Sequence, residues 1–261
     1  MEPTIHPTAV IEEGAVIGAG CAIGPFCHVG PEVVLADGVV LKSHVVVTGD
    51  THIGPDTLVF SFSVIGEVPQ DLKYAGEKTR LRIGARNRIR EHVTINTGTG
   101  HGGGETRIGD DGLFMAGCHI AHDARIGDRV IVVNSSAVAG HCVIEDDVII
   151  GGLVGVHQWV RIGRGAIIGA VTMVTNDVIP FGLVQGPRGA LDGLNLVGLK
   201  RRGVGRGDIT ALRAAFGVLK DGEGAFVDRA RSLQTGDQSP YVQELIDFVL
   251  GASDRQFLTP G

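Results

Sequence analysis

A six-residue repeat runs through most of this 261-residue chain and restricts its fold more than any other feature. An apolar residue recurs at every sixth position within residues 5–65, 83–95 and 108–174. Since 43 % of the chain is hydrophobic, twelve matches in the last run would arise by chance at roughly 4 × 10⁻⁵ per phase. In the first and last runs, the fourth residue after each apolar one is small. Each unit therefore turns one medium apolar and one small side chain inward.

A period of six is incompatible with a helix but fits a short strand followed by a tight turn. Three units would close a triangular coil, and the coils would stack as parallel strands about 4.8 Å apart. Twenty-six units would give nearly nine coils, a prism roughly 40 Å long. The pattern resembles the hexapeptide-repeat left-handed parallel β-helix, and the left hand is implied by that resemblance. The 41 glycines suit its crowded corners.

Two irregular segments and a change of period divide the chain. The segments at 66–82 and 96–107 leave the repeat as loops, and such loops on a rigid solenoid often carry function. The repeat ends near Pro180, so we expect a β-helix over 1–185 and an α-helical domain over 186–261. Within that domain, Asp208 is a predicted N-cap, and Ser239 before Pro240 is a predicted helix start.

Composition restricts the environment of the protein. The four cysteines form no CxxC pair, no basic and apolar leader opens the chain, and the longest nearly apolar stretch covers only residues 148–156. We therefore expect a reduced, soluble, cytoplasmic protein without stable membrane insertion. A net charge of −6 disfavours general binding to nucleic acid.

Histidines mark the first candidate site. None of the ten histidines falls on an inward position, so those in the coils should face solvent or a partner chain. From His122, His141 is one coil plus one position away and His157 is two coils minus one position away, which places all three on nearly the same edge of successive coils. Three aligned histidines could bind zinc. Alternatively, one could act as a general base, its tautomer set by a carboxylate such as Asp123. Spacing alone does not choose between these chemistries.

Positive charge is clustered despite the negative total. The basic residues form two clusters, and each could be a solvated face or could bind an acidic partner or a phosphate. The first group comprises Arg80, Arg82, Arg86, Arg88 and Arg90, and the second comprises Lys200, Arg201, Arg202 and Arg206.

Several short motifs together carry a specific resemblance. They are QDLKYAGE at 70–77, GARNRIRE at 84–91, HIAHD at 119–123, AGH at 139–141, IIGG at 149–152, VHQ at 156–158 and GLKRRG at 198–203. With the motifs in this order, the whole chain resembles the UDP-N-acetylglucosamine O-acyltransferase family, which performs the first step of lipid A synthesis. The resemblance implies transfer of a (3R)-3-hydroxyacyl chain from acyl carrier protein to the 3-hydroxyl of UDP-N-acetylglucosamine.

The resemblance also implies roles for individual residues. His122 matches the general base, Asp123 its orienting partner, and the Gly140 N–H the oxyanion donor, while Ala170 matches the residue that limits acyl-chain depth. Positions matching or adjoining the substrate contacts are Asp71, Lys73, His119, His141, His157, Gln158, Asn195 and Arg201. It implies a homotrimer with clefts between subunits, an arginine cluster that meets the acidic carrier protein, and no metal, cofactor or covalent intermediate. The chain departs from the family pattern at Val197, usually acidic, and at Asn96, often histidine.

Three alternatives remain at this point. A related N-acyltransferase acting on a 3-amino sugar nucleotide would use the same base, whereas the later N-acyltransferase of the pathway typically carries a domain ahead of its repeats. A trimeric zinc hydratase of the same fold would need a different histidine spacing. A structural or ice-binding solenoid would present rows of small outward residues, where this chain has histidines and arginines.

Overall fold

The computed structural model describes residues 1–234 and 238–260, and the repeat folds there as a left-handed parallel β-helix. Each hexapeptide contributes one short strand, and each strand pairs in parallel with the strand three units later, as in Thr4 with Ala22. The predicted triangular coil is therefore confirmed. Its strands are β1 Thr4–Ile5, β2 Val10–Ile11, β3 Val16–Ile17, β4 Ala22–Ile23, β5 His28–Val29, β6 Val34–Leu35, β7 Val40–Leu41, β8 Val46–Val47, β9 Asp50–Ile53, β10 Leu58–Val59, β11 Val64–Glu67, β12 Arg80–Ile83, β13 Arg88–Ile89, β14 Thr94–Asn96, β15 Glu105–Ile108, β16 Leu113–Phe114, β17 His119–Ile120, β18 Arg125–Ile126, β19 Ile131–Val132, β20 Ala137–Val138, β21 Val143–Ile144, β22 Ile149–Ile150, β23 Gly155–Val156, β24 Arg161–Ile162, β25 Ile167–Ile168 and β26 Met173–Val174.

The strands form the three faces of the prism. Sheet A runs from β1 through every third strand to β25, sheet B from β2 to β26, and sheet C from β3 to β24. The repeated apolar residue is buried from Ile23 onward, while Ile5 at the open end is 41 % exposed. The four cysteines are free thiols buried at the small inward position. Burial raises the pKa of Cys118 and Cys142 to about 12, so neither is a reactive thiolate at neutral pH.

One inward position departs from the small-residue rule. Asn87 stands there, fully buried, and its amide donates to the carbonyls of Gly84 and Gly109 while its Oδ1 accepts from the Gly112 N–H. All of its polar atoms are thus paired, which is the condition for burying an amide in an apolar core.

The corner between sheets B and C needs left-handed backbone at one residue per coil. Asp123, His141 and Trp159 occupy that position in successive coils, with φ of 58°, 62° and 67°. The same conformation recurs at the other corners, as at Phe26 and Arg129, so it belongs to the turn of the coil and does not by itself mark the site.

Both irregular loops leave the prism at this same corner. One connects β11 to β12 and the other connects β14 to β15, so each joins sheet B to sheet C. The coil resumes in register after each loop, because Ile83 pairs with both Ile53 and Ile108. The loops also bind each other, since Glu77 Oε1 accepts from the Gly100 N–H at 2.8 Å. Two insertions in successive coils thereby cover one edge of the molecule.

The C-terminal part begins with a hairpin and continues with helices. β27 (Gly182–Gln185) extends sheet A and pairs antiparallel with β28 (Ala190–Leu194), so the expected boundary after residue 185 falls inside a hairpin. Ser239 and Pro240 start a helix as predicted. The Asp208 prediction was wrong: Gly205 is the N-cap and Asp208 lies in the first turn, where it accepts from Ser239 Oγ. The helices are α1 Leu196–Arg201, α2 Arg206–Asp221, α3 Phe226–Ser232 and α4 Pro240–Leu250.

Within residues 1–234 and 238–260, no helix combines the length and apolar character needed to span a membrane.

Candidate active site

A buried histidine–carboxylate pair lies at the covered corner. His122 Nδ1 is 2.8 Å from Asp123 Oδ2, and both residues are 5 % exposed. A carboxylate only accepts hydrogen bonds, so in the neutral imidazole Nδ1 carries the proton and Nε2 keeps its lone pair. Among the described residues nothing bonds to Nε2. The arrangement therefore presents an unprotonated nitrogen as a base, with its tautomer set by Asp123.

The second loop, residues 97–104, holds Asp123 in place. The Thr99 backbone N–H donates to Asp123 Oδ1 at 2.9 Å, and Thr99 Oγ1 donates to Oδ2 at 2.6 Å. Gly102 packs so closely that any β-carbon there would collide with the Asp123 carboxyl group. Together with His122 Nδ1, these donors hold both carboxylate oxygens in place.

The same loop changes the environment that the repeat predicts for His122. By register the residue points out of the coil, as expected, but it is not solvent-facing in the monomer. The expectation that it faces solvent was wrong for His122, because the inserted loop covers the corner. The covering loop leaves the imidazole in a buried place with the Asp123 carboxylate hydrogen-bonded to Nδ1.

Gly140 lies directly against the imidazole. A β-carbon at this position would come within 2.5 Å of His122 Cε1 and 2.6 Å of Nε2. Within the described chain, no acceptor takes a hydrogen bond from the Gly140 N–H. A free backbone donor next to a base is the geometry of an oxyanion site.

His141 packs edge-on against His122, with ring centroids 4.9 Å apart. Burial lowers the pKa of His141 and outweighs the opposing effect of Asp123, so the ring is neutral at physiological pH. Its other face stacks on Trp159 at 3.8 Å with the planes 4° apart. Trp159 thus extends the row of ring contacts that His122 and His141 begin at this corner.

The predicted row of three histidines is therefore wrong in its third member. His157 lies two residues before Trp159, and its Nδ1 meets Arg255 Nη2 at 2.6 Å. One full coil beyond His141 the chain reaches Trp159, so His157 falls short of the same corner position. Gln158 is exposed beside it.

His119 stands on the outer face of sheet B, on the strand that leads into His122. Its Nδ1 lies 2.7 Å from Thr94 Oγ1 on the neighbouring strand. Burial, together with the nearby His122, lowers its pKa and keeps it neutral. It offers a polar edge without adding charge to the site.

The first loop brings a carboxylate toward the same place. Asp71 Oδ1 accepts from the Lys73 backbone N–H at 2.9 Å, and this bond chiefly lowers the Asp71 pKa. Asp71 Oδ2 is 3.4 Å from His101 Nε2, and the His101 ring centroid is 5.7 Å from that of His141. The Lys73 residue is exposed. The loops thus add Asp71, Lys73 and His101 to the rim of the histidine cluster.

The remaining predicted residues lie elsewhere on this chain. Asn195 is the buried N-cap of α1, where its Oδ1 accepts from the Gly198 N–H and its Nδ2 donates to the Gly165 carbonyl. Its amide is therefore engaged in structure. Arg201 is exposed in the last turn of α1. Ala170 is exposed in a turn. It lies three coils after the corresponding turn of the coil that contains His122, about 14 Å along the axis.

The first arginine group does not form a free basic surface. Four of its five members pair within the chain: Arg80 with Glu105, Arg82 with Asp50, Arg86 with Asp110 and Asp111, and Arg90 with Glu91. The group also spreads over two faces, since β12 belongs to sheet C and β13 to sheet A. The expectation that it meets an acidic carrier protein as one patch is therefore not supported.

Metal binding was left open by the spacing of the histidines. His122, Asp123 and His141 place one ligand atom each within 4.8 Å of one another. However, the Asp123 oxygens already accept from Thr99 and His122, so a metal would have to displace those bonds. The donor set fits an oriented base better than a metal cage.

Sequence reasoning missed three residues at this site. Thr99 and His101 lie in the loop that breaks the repeat, so no periodicity indicated which way they point. Trp159 could have been found from the length of one coil, because it follows Asp123 and His141 at that interval.

Comparison with known proteins agrees with this fold. A family model described as bacterial transferase hexapeptide (six repeats) matches residues 14–49, and one described as UDP N-acetylglucosamine O-acyltransferase, domain 2, matches residues 177–258. The chain is 70 % identical over 203 residues to acyl-(acyl-carrier-protein)–UDP-N-acetylglucosamine O-acyltransferase from Paracoccus denitrificans, covering 78 % of this chain and 77 % of that protein.

Full-length relatives agree. The enzyme of the same name from Agrobacterium fabrum is 45 % identical over 258 residues, covering 98 % of this chain and 95 % of the relative. The structure of UDP-N-acetylglucosamine acyltransferase from Campylobacter jejuni superimposes with a TM-score of 0.93 at 37 % identity, covering 99 % of this chain and 100 % of the other. The chain therefore belongs to the UDP-N-acetylglucosamine O-acyltransferase family.

Proposed function

We propose that the chain transfers a (3R)-3-hydroxyacyl group from acyl carrier protein to the 3-hydroxyl of UDP-N-acetylglucosamine, the first step of lipid A synthesis. The observation that carries the proposal is the buried His122–Asp123 pair beside the free Gly140 N–H. A base with a backbone N–H donor on the glycine packed against it supplies the two groups that direct acyl transfer to a hydroxyl requires.

In the proposed mechanism, His122 Nε2 takes the proton as the sugar hydroxyl attacks the thioester carbonyl. Asp123 stabilises the resulting imidazolium, and the Gly140 N–H binds the oxygen of the tetrahedral intermediate. The carbon–sulfur bond then breaks, and the thiolate leaves with the proton that His122 had accepted. The ester forms without any covalent enzyme intermediate, and the buried cysteines take no part.

Substrate contacts are proposed around this centre. His119 and His141 are neutral rings that offer polar contacts, while Asp71 and Lys73 stand on the rim loop. We assign His157, Gln158, Asn195 and Arg201 to substrate binding as well, with Asn195 acting through the helix start that it caps. Ala170 would limit the depth of the acyl chain.

A homotrimer would supply the missing wall of the cleft. The outer face of sheet A is a nearly continuous apolar stripe that continues from coil to coil. Beside it, at the corner between sheets A and B, Phe26, His44, Phe62 and His92 stack with centroids 4.9–5.3 Å apart. The stripe is half-buried in the single chain and Phe26 and Phe62 are exposed, and apolar surface of this kind favours contact with another chain. The stripe comprises Val40, Leu58, Leu113, Ile131, Ile149 and Ile167.

The trimer is tested by the mass of the protein in solution. Light scattering after size exclusion should give three chains per particle, and Ile149→Glu in the stripe should shift the protein to a lower mass. Lys220→Glu on the helical domain is the control, and it should leave the mass unchanged. A wild-type protein that runs as a monomer would contradict the proposal.

The reaction itself is tested by mass spectrometry of the products. Wild-type protein with UDP-N-acetylglucosamine and 3-hydroxyacyl carrier proteins of several chain lengths should yield a 3-O-acyl ester, and one length should be preferred. Product only with a 3-amino acceptor would replace the ester by an amide and overturn the choice of acceptor. No product with either acceptor would refute the proposed reaction.

The cellular compartment of the protein follows from the same proposal. We propose a cytoplasmic protein, a place supported by four free thiols in a chain of this length.

A further inference from the structure

The segment after α4 returns to the β-helix next to His157. Asp177, which is fully buried, anchors this return: its N–H donates to the Gln256 carbonyl and its own carbonyl accepts from the Leu258 N–H, both at 2.8 Å. Its carboxylate accepts from Ser253 Oγ at 2.6 Å. Arg255 lies between these anchor points, so its backbone is held against the last coils.

The Arg255 guanidinium binds two acceptors with one edge. Its Nε donates to the Gln158 carbonyl at 3.0 Å, and its Nη2 donates to His157 Nδ1 at 2.6 Å. Nε–H and Nη2–H form the planar fork of the side chain, which recognises two neighbouring lone pairs. The Gln158 carbonyl also lies 3.3 Å from His157 Nδ1, a distance at which an Nδ1–H could donate to it. The contact with the guanidinium is much shorter, at 2.6 Å, and a guanidinium can only donate, so Nδ1 is assigned as its acceptor.

This contact determines which nitrogen of His157 carries the proton. A guanidinium has five donors and no acceptor and does not lose its proton in proteins. Nδ1 must therefore be the acceptor, and the proton of the neutral imidazole resides on Nε2. Within the described residues Nε2 has no partner, so its N–H remains available.

We propose that Arg255 is a positioning residue that fixes His157 as an Nε2–H donor toward an acceptor oxygen of one substrate. The proposal rests on the proposed function, in which His157 contacts substrate. Arg255 does not itself touch the reacting atoms. It acts through the orientation and tautomer of the imidazole, in the way that outer partners commonly set histidine ligands and bases.

The tautomer is tested first, by ¹⁵N-detected ring spectra of histidine-labelled full-length protein above neutral pH. The His157 signal is identified by its loss in His157→Gln. We expect an unprotonated Nδ1 and a protonated Nε2 in the wild type, and a mixture of tautomers in Arg255→Met. A protonated Nδ1 in the wild type, or an unchanged tautomer in Arg255→Met, would overturn the proposal. This readout is independent of any enzymatic activity.

Kinetics then tests the role. Arg255→Met should raise the KM for one substrate about tenfold with little change in kcat, because a hydrogen bond to bound substrate contributes equally to ground and transition states. Arg255→Lys keeps a pure donor and should restore part of the loss. In a His157→Ala background, Arg255→Met should have no further effect.

Additive losses in the double variant would show that Arg255 acts only on the stability of the tail, and would overturn the assignment. The matched control is Arg231→Met, which removes an arginine paired with Asp228 on the surface of α3 and should leave KM unchanged. If the wild type lacks the proposed activity while the tautomer is as expected, the proposed function fails and the Arg255–His157 contact stands.

Discussion

Replacing His122 with alanine should lower kcat about 10²–10⁴-fold, the usual contribution of a general base. The physical reason is that no other described side chain offers an unprotonated nitrogen against the Gly140 N–H. His141 is held neutral nearby, but its ring meets His122 edge-on and it lies one coil further along. The measurement is initial-rate product formation at saturating substrate, with far-UV circular dichroism to confirm the β-helix.

The control for this change is His28→Ala. His28 lies on the outer face of sheet B near the N-terminal end of the prism and pairs with Glu12, so the rate should be unchanged. Wild-type turnover in His122→Ala would show that another group takes the proton, even if the product is the expected ester.

The second large effect is expected from adding a single methyl group at Gly140. Gly140→Ala would place a β-carbon within 2.5 Å of His122 Cε1 and 2.6 Å of Nε2, which is closer than carbon atoms can approach. The imidazole must turn away, and a displacement of about 1 Å at a reacting centre can cost about 10² in rate. We expect at least that loss in kcat, measured in the same assay.

Gly30→Ala is the matched substitution in a remote coil. Its nearest atom would be Thr48 Cα at 3.4 Å, an ordinary contact, so both folding and rate should be preserved. If Gly140→Ala and Gly30→Ala behaved alike, the close packing of Gly140 against His122 would have no catalytic meaning.

Most of the fold was predictable because its signal is local and repeated. The same positions turn inward in every hexapeptide, so residues such as Ile89 and Val132 can be assigned to the core without information on their spatial neighbours. Asn87 is an exception whose burial depends on three backbone partners, two of them from the next coil. The start of α2 was misplaced because Gly205, which has no capping side chain, begins the helix and Asp208 pairs with Ser239 instead.

The site was predictable only in part. HIAHD and AGH identified His122, Asp123 and Gly140, and the structure brings these residues together. The third histidine was misassigned because His157 comes before a full coil is completed after His141, and the corner position belongs to Trp159. The arginine group looked like a binding surface in sequence, but its acidic partners come from other strands and loops.

The amino-acid sequence alone specified the β-helix, because an apolar and a small residue at fixed places in every hexapeptide leave one way to bury both. It also specified which residues point out of the coil. What covers those residues depends on tertiary contacts: the loop around Thr99 buries His122 and fixes Asp123, and the returning tail brings Arg255 to His157. These contacts join segments separated by 24 to 98 residues, and no periodic pattern encodes contacts at such distances.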